Sequence, residues 1–400
     1  MFSSRVAVLL SLIAVAACKR AAPPAPDGDA GAHKASAATR EASLRGIGVC
    51  TAAQAKLFAT RAGTFEQKTK VLALAPGEGE RKEARNGAQS AWVAAIDEWQ
   101  KLEMMQYGPA AVTTQPGGLD LRGFIYAWPL FNRCLVEQQL VSKVYDTNFA
   151  SLLVNSRGLG AAEFLLFYDG TDNVCGPTAS INTDGTWNTL VGTELSARRA
   201  AYANAVAGDI ASFARKLDAA WDPAQGNFVN ELAQAGRGST TYKSDALAFN
   251  SVSDALFYVE SDVKDMKVAR PLGIANCEQP TCPEAVESLY AKRSKQHLVN
   301  NLAGFRMVFF GCETNASALD DLLIAVGANS LVSDVKTALD EADAAVAALT
   351  SPDLGTAVTE ENGKLRAVHA ALKKLTDILR TEFISFLDLE LPRRVEGDND

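Results

Sequence analysis

Histidine is scarce in this 400-residue sequence: His33, His297 and His369 are the only three. No His-Glu-x-x-His pair, no Gly-x-Ser-x-Gly nucleophile turn and no phosphate-cradling Gly-x-x-x-x-Gly-Lys occurs, which removes the most readable signatures of zinc hydrolysis, serine catalysis and nucleotide binding. His297 and His369 fall on predicted helices without a second histidine or acid at ligand spacing, so each is expected at a surface or boundary. Dense Lys/Arg runs are missing too, and the formal net charge is -8. Nucleic acid is thereby excluded as a partner, because its binding demands clustered positive charge to release counterions. Strict apolar alternation over a strand's length is also absent, so no sheet is expected.

Long hydrophobic runs are lacking as well, and none approaches the roughly 20 residues that cross a bilayer. The opening MFSSRVAVLLSLIAVAACKR places Arg5 before a short apolar core, Val6 to Val15, and small residues before Cys18. This is the pattern of a bacterial lipoprotein signal over residues 1–17, with Cys18 lipidated as the first residue of the mature chain. More than one acyl chain on Cys18 gives stable anchoring. An ordinary secretory peptide with Cys18 incidental is the alternative. Either reading puts the protein in the cell envelope outside the cytoplasm, and the lipidated one puts it on a membrane, the outer membrane if the cell is Gram-negative. Residues 18–44, with AAPPAPDGDAGAHKASAATRE, bring almost no large apolar side chain and read as a disordered tether.

Beyond the tether the dominant period is helical. Ala88, Trp92, Ala95, Trp99 and Leu102 fall three or four apart, as do Tyr202, Val206, Ile210, Phe213, Leu217 and Trp221, and the rhythm returns from Leu331 to Leu349 and from Leu365 to Leu379. Single apolar stripes are most simply buried in bundles. The expected fold is all-α, with two four-helix-bundle-like domains at 45–193 and 194–400. The order of elements suggests an internal repeat, helices near 51–74 and 85–106 answering helices near 196–221 and 243–266. The long loop at 168–188 is read as the seam.

Of seven cysteines, six follow Cys18, and an exported chain meets an oxidising compartment. Cys277 and Cys282 are close enough to staple one loop, whereas a zinc site there lacks further ligands. Cys50, Cys134, Cys175 and Cys312 can pair in three ways that sequence does not rank.

The stretch "NSRGLGAAEFLLFYDG" resembles the signature region of imelysin-like proteins, a family of bacterial cell-envelope proteins once grouped with metallopeptidases, whose motif reads Gly-x-His-x-x-Glu before an aromatic and a leucine pair. "FIYAWPLFNRCLVEQQLV" is similar to the family's Trp-Pro segment, here Trp128 and Pro129. "VESLYAKRSKQHLVNNLAGFRMVFFG" is similar to its Glu-Ser and Asn-Asn-Leu-x-Gly segments, here Glu287, Ser288, Asn300, Asn301, Leu302 and Gly304. The resemblance implies two helical bundles related by a repeat, a site in the cleft between them, and an association with iron uptake; the cofactor is left open, with a divalent metal or iron as the candidates. This chain departs from the motif where the family histidine stands, since that position is Gly160. His at i and Glu at i+3 share a helix face; with glycine there, one carboxylate is left, whereas a catalytic zinc wants three protein ligands.

Two readings of Glu163 follow. In one, it sits in the first turn of a helix running to Phe167 and serves that helix's own amides and dipole. In the other, it faces the inter-domain cleft as a ligand or metal contact, with Gly158, Gly160 and Arg157 beside it, Trp128 nearby, and Glu287, Ser288 and Arg306 supplied by the second domain. Trp128-Pro129 also has a packing reading, a proline at a helix start. The expected function is binding of a metal, a metal complex, another small ligand or an envelope protein. The alternatives are a metal-dependent peptidase with ligands other than the motif histidine, and a structural envelope scaffold.

Overall fold

The computed structural model describes residues 35–190, 192–312 and 316–395, and the regular structure among them is entirely helical. The signal segment, Cys18, His33 and most of the tether lie outside the described residues. Helix α1 (Ala37–Leu74) starts inside the stretch that composition assigns to the tether, with the Ser36 hydroxyl accepting the Thr39 N–H at 3.1 Å. Tertiary contacts explain the difference: Arg40 pairs with Asp245, and Leu44 is fully buried. A low apolar count therefore misjudges the last eight residues of the tether, 37–44.

Helices α2 (Glu78–Leu102), α3 (Arg133–Ser142), α4 (Gly158–Phe167) and α5 (Gly192–Trp221) follow. α1 packs along α2 and α5, and α4 lies against α2 and α5. The stripes meet as their period requires. Phe58, Phe65, Trp92, Trp99, Tyr202, Val206, Ile210 and Trp221 are all fully buried, each contributing on the order of 1.5–3 kcal/mol. α5, assigned by sequence to the head of a second unit from 194, thus packs on the first side of the molecule, because its stripe complements that of α1.

α6 (Asp245–Leu256) is followed by a π-helix (Val259–Ala269) where the pattern predicts one continuous α-helix. Then come α7 (Ser294–Phe310), α8 (Asn329–Ala348) and α9 (Asn362–Ile378). α8 packs on α9, α9 on the π-helix, and α7 on both α8 and the π-helix. Among the described residues no helix is long and apolar enough to cross a membrane.

The two sides are joined where α7 crosses α2. Asn300 donates to Asp97 at 2.9 Å, Asn301 donates to the Gln100 carbonyl at 2.7 Å, and Arg293 pairs with Asp97 at 2.8 Å. Gly304 lets the backbones touch, since a Cβ there would stand 2.3 Å from the Lys101 carbonyl oxygen. The Asn-Asn-Leu-x-Gly segment is therefore a docking surface between helices. Three disulfides, Cys50–Cys312, Cys134–Cys175 and Cys277–Cys282, select one of the pairings left open by sequence.

Candidate functional site

Glu163 lies in the second turn of α4. The helix begins at Gly158, whose φ of 73° belongs to the left-handed region and whose missing Cβ leaves room for the Ile125 carbonyl oxygen, 2.7 Å from where that atom would sit. Trp92 fixes this end of the helix by donating to the Leu159 carbonyl at 3.0 Å. Glu163 does not serve its own helix. Its Oε1 accepts the backbone N–H groups of Tyr290 and Ala291, both at 2.9 Å, from the turn over residues 287–292. Ser288 and Lys292, with φ of 58° and 59°, fold that turn so that two successive amides converge on the carboxylate.

The same carboxylate lines a cavity of about 210 Å³ whose walls come from Trp128, Phe131 and Gly160 on one side and Arg270, Ser288 and Tyr290 on the other. Burial pushes the Glu163 carboxyl above its ordinary range, and the Ala291 amide, the His297 charge, the Tyr290 amide and the Ser288 hydroxyl counter that rise only in part. Burial likewise pushes the Tyr290 phenol up to about 12.

Behind the cavity runs a buried polar network. Glu287 Oε1 accepts from Gln100 at 2.9 Å and from the Tyr126 hydroxyl at 2.8 Å, while its Oε2 lies 3.0 Å from both Lys267 Nζ and His297 Nδ1. Lys267 also donates to Gln100 at 2.7 Å, Glu103 at 2.9 Å and Asn301 at 2.8 Å. Burial by itself would lower the Lys267 ammonium and raise the Glu287 carboxyl. The opposite charges win at both sites: Glu103 and Glu287 hold Lys267 above its ordinary value, and Lys267 with His297 holds Glu287 well below its own.

Of the residues singled out from sequence, Trp128, Gly160, Glu163 and Ser288 line one cavity, and Glu287 stands directly behind it. Gly158 shapes the backbone. Trp128-Pro129 is a cis peptide in the turn between Ile125 and α3, not a helix start. Arg157 and Arg306 are elsewhere. Arg157 forks onto Asp209 of α5 at 2.6 and 3.1 Å, and Arg306 pairs with Asp340 at 2.8 Å and Asp343 at 2.6 Å on α8. Both arginines found acids on neighbouring helices, which the chain order of the motif does not reveal. Sequence reading missed Lys267, Glu103 and Tyr126, and it placed His297 at a surface or boundary, whereas the imidazole is fully buried. The one available signal was helical phase, which puts His297 on the same face of α7 as Asn301, four residues on.

The donor set does not suit a bare metal ion. Among the described residues no group of three or more His, Cys, Asp or Glu side chains is arranged to hold one. Glu163 already accepts two amides, Glu287 is neutralised by Lys267, and residue 160 brings no nitrogen.

The imelysin family model matches residues 51–381. The chain belongs to the imelysin family. A solved structure of a proposed iron-regulated protein A precursor from Parabacteroides distasonis is similar to this imelysin with a TM-score of 0.68 and 15% identity, covering 89% of this chain and 96% of that one. At that identity the likeness concerns the fold. No curated protein matches this imelysin.

Proposed function

We propose that this imelysin is an envelope protein, held outside the cytoplasm by lipid on Cys18, that binds a small ligand in the cavity between Glu163 and the 287–292 turn. The observation carrying this reading is the double role of Glu163, which ties one side of the molecule to the amides of the other while its carboxylate borders a cavity of about 210 Å³. A ligand seated there would touch both sides and bind only the assembled fold. The aromatic walls at Trp128, Phe131 and Tyr290 suit an apolar body, with Arg270 and Ser288 for its polar end. Family membership and the iron-regulated neighbour favour a role in iron uptake, and the poor donor set favours a chelated iron complex over the bare ion.

Thermal melts test this, because a ligand of the native state alone raises the midpoint by mass action. Ferric tropolonate, a neutral iron complex with an aromatic body, is expected to raise the midpoint saturably and ferrous or zinc ions alone to leave it in place, with Trp128→Ala losing the effect of the complex. No shift with the complex, or an equal shift in the variant, would overturn the reading.

A further inference from the structure

A second recess, away from the Glu163 cavity, lies where α2 and α5 meet the C-terminal end of α4. It holds about 180 Å³, is open to solvent, and is lined by Arg81, Arg85, Arg199, Asp169, Thr171 and Ser196 among others. Three guanidiniums thus face one carboxylate. That carboxylate, on Asp169, pairs with Arg85 and is 81% exposed, so its charge is largely screened by water.

Arg199 is the unusual member. It is only 8% exposed, yet among the described residues no carboxylate comes within 4.0 Å of it. Two of its nitrogens cap the helix end, donating to the Tyr168 carbonyl at 3.0 Å and the Gly170 carbonyl at 2.7 Å. Its Nε–H is buried without any partner. Arg85 adds a second guanidinium, sharing the Tyr168 carbonyl at 3.3 Å and donating to the Leu166 carbonyl at 2.5 Å, while Arg81 on the preceding turn of α2 donates to the Ala75 carbonyl at 3.4 Å and among the described residues has no ionic partner. Carbonyl dipoles offset a fraction of a charge at a helix end, not several cations. Burial first, and then the charge of Arg85, depress the Arg199 guanidinium.

We infer that this recess is a binding site for a small oxyanion of the phosphate class, held by Arg81 and Arg85 with the buried charge of Arg199 behind them, and with Thr171 and Ser196 as hydroxyl donors. Arginine suits the role because its planar fork donates two parallel bonds to phosphate or carboxylate oxygens. Asp169 acts as the internal competitor, occupying Arg85 when the site is empty.

The experiment titrates inorganic phosphate and sulfate into the whole mature protein at constant ionic strength, with chloride as the reference salt, and reads the melting midpoint and calorimetric binding. Phosphate and sulfate are expected to raise the midpoint saturably, chloride not at all. Arg81→Gln, at a partly exposed position that tolerates change, weakens phosphate by about tenfold. Asp169→Asn tightens it, a change of sign that loss of a merely structural contact does not produce. Arg306→Gln, which removes a surface arginine of equal charge elsewhere, leaves phosphate binding as it was. The inference falls if the shift is absent, if chloride matches phosphate, or if neither Arg81→Gln nor Asp169→Asn moves the affinity. It falls equally if Arg81→Gln abolishes binding to phosphatidylglycerol vesicles while free phosphate has no effect on the wild type.

Discussion

Lys267 Nζ and Glu287 Oε2 stand 3.0 Å apart with each side chain only 1% exposed, and the same oxygen lies 3.0 Å from His297 Nδ1. The π-helix, the 287–292 turn and α7 thus share one buried charge cluster directly behind the cavity, which Gln100 and Glu103 join from far earlier in the sequence. Removing the lysine alone leaves the Glu103 and Glu287 carboxylates without their cation, so Lys267→Met is expected to lower stability by about 3–5 kcal/mol. Lys267→Met combined with Glu103→Gln and Glu287→Gln recovers most of that loss, because the unmatched charges go together. Urea unfolding of the single and triple variants measures both.

The pH dependence of this cluster has two limbs with opposite origins. Glu287 is held below its ordinary 4.5, so its contribution is complete above that pH and is lost as the pH falls further toward its folded value. Lys267 is held above its ordinary 10.5, so its contribution is complete below that pH and is lost as the pH rises through its folded value. Glu163 behaves in the opposite sense to Glu287. Its folded pKa is raised, so the native state gains stability as the pH falls from that folded value toward 4.5. Glu163→Gln keeps an oxygen for the Tyr290 and Ala291 amides and removes the buried charge. It is expected to raise the urea midpoint at pH 7 and to erase the gain otherwise seen on acidification above pH 4.5. A lower midpoint at pH 7 would show instead that the Tyr290 and Ala291 amides hold the charged carboxylate firmly enough to outweigh its burial.

The helical architecture is legible because burial follows period: Trp92, Trp99, Tyr202 and Trp221 repeat three or four apart in phase with neighbouring apolar residues, and all are buried. The grouping of Trp128, Glu163 and Ser288 is legible only through motif resemblance, since no local pattern links residues so far apart. Lys267 is not legible at all. A lysine on a helix is expected in water, and its burial depends on Gln100, Glu103, Glu287 and Asn301 arriving from three other segments. Arg157 and Arg306 fail for the converse reason, since a long cation near a motif takes whichever acid the neighbouring helix offers.

Gly304 separates a packing role from a propensity role. Alanine is the better helix former by about 1 kcal/mol, yet a Cβ at 304 would meet the Lys101 carbonyl oxygen at 2.3 Å and its Cα at 2.9 Å. Gly304→Ala must push α7 off α2 and is expected to destabilise by about 1–3 kcal/mol. Gly363→Ala on α9, where nothing lies within 4 Å of the new atom, is expected to be neutral or stabilising. Matching urea curves for the two variants would refute the docking role of Gly304.

The disulfides are expected to contribute unequally. Cys50–Cys312 closes a separation of 262 residues and Cys277–Cys282 one of 5. Because the unfolded chain loses more freedom when a longer loop is closed, replacing Cys50 and Cys312 by serine is expected to lower stability by about 2–5 kcal/mol. The same change at Cys277 and Cys282 should have a smaller effect in parallel thermal and urea melts.

Position 160 is where this chain leaves its family, and the structure leaves space for the missing side chain. The nearest atoms a Cβ there would meet belong to the Phe131 side chain, at 3.5–3.6 Å, an ordinary contact, and it would lie on the cavity wall three residues before Glu163. Gly160→His is therefore expected to fold and to place an imidazole on the Glu163 face of α4, restoring a nitrogen and oxygen pair of the kind that binds divalent zinc. Zinc should then raise the melting midpoint of Gly160→His but not of the wild type, and Glu163→Gln added to the variant should remove the effect. If zinc stabilises both proteins alike, ligands other than residue 160 hold it. If it stabilises neither, the amides of Tyr290 and Ala291 bind the Glu163 carboxylate too firmly for a metal to claim it.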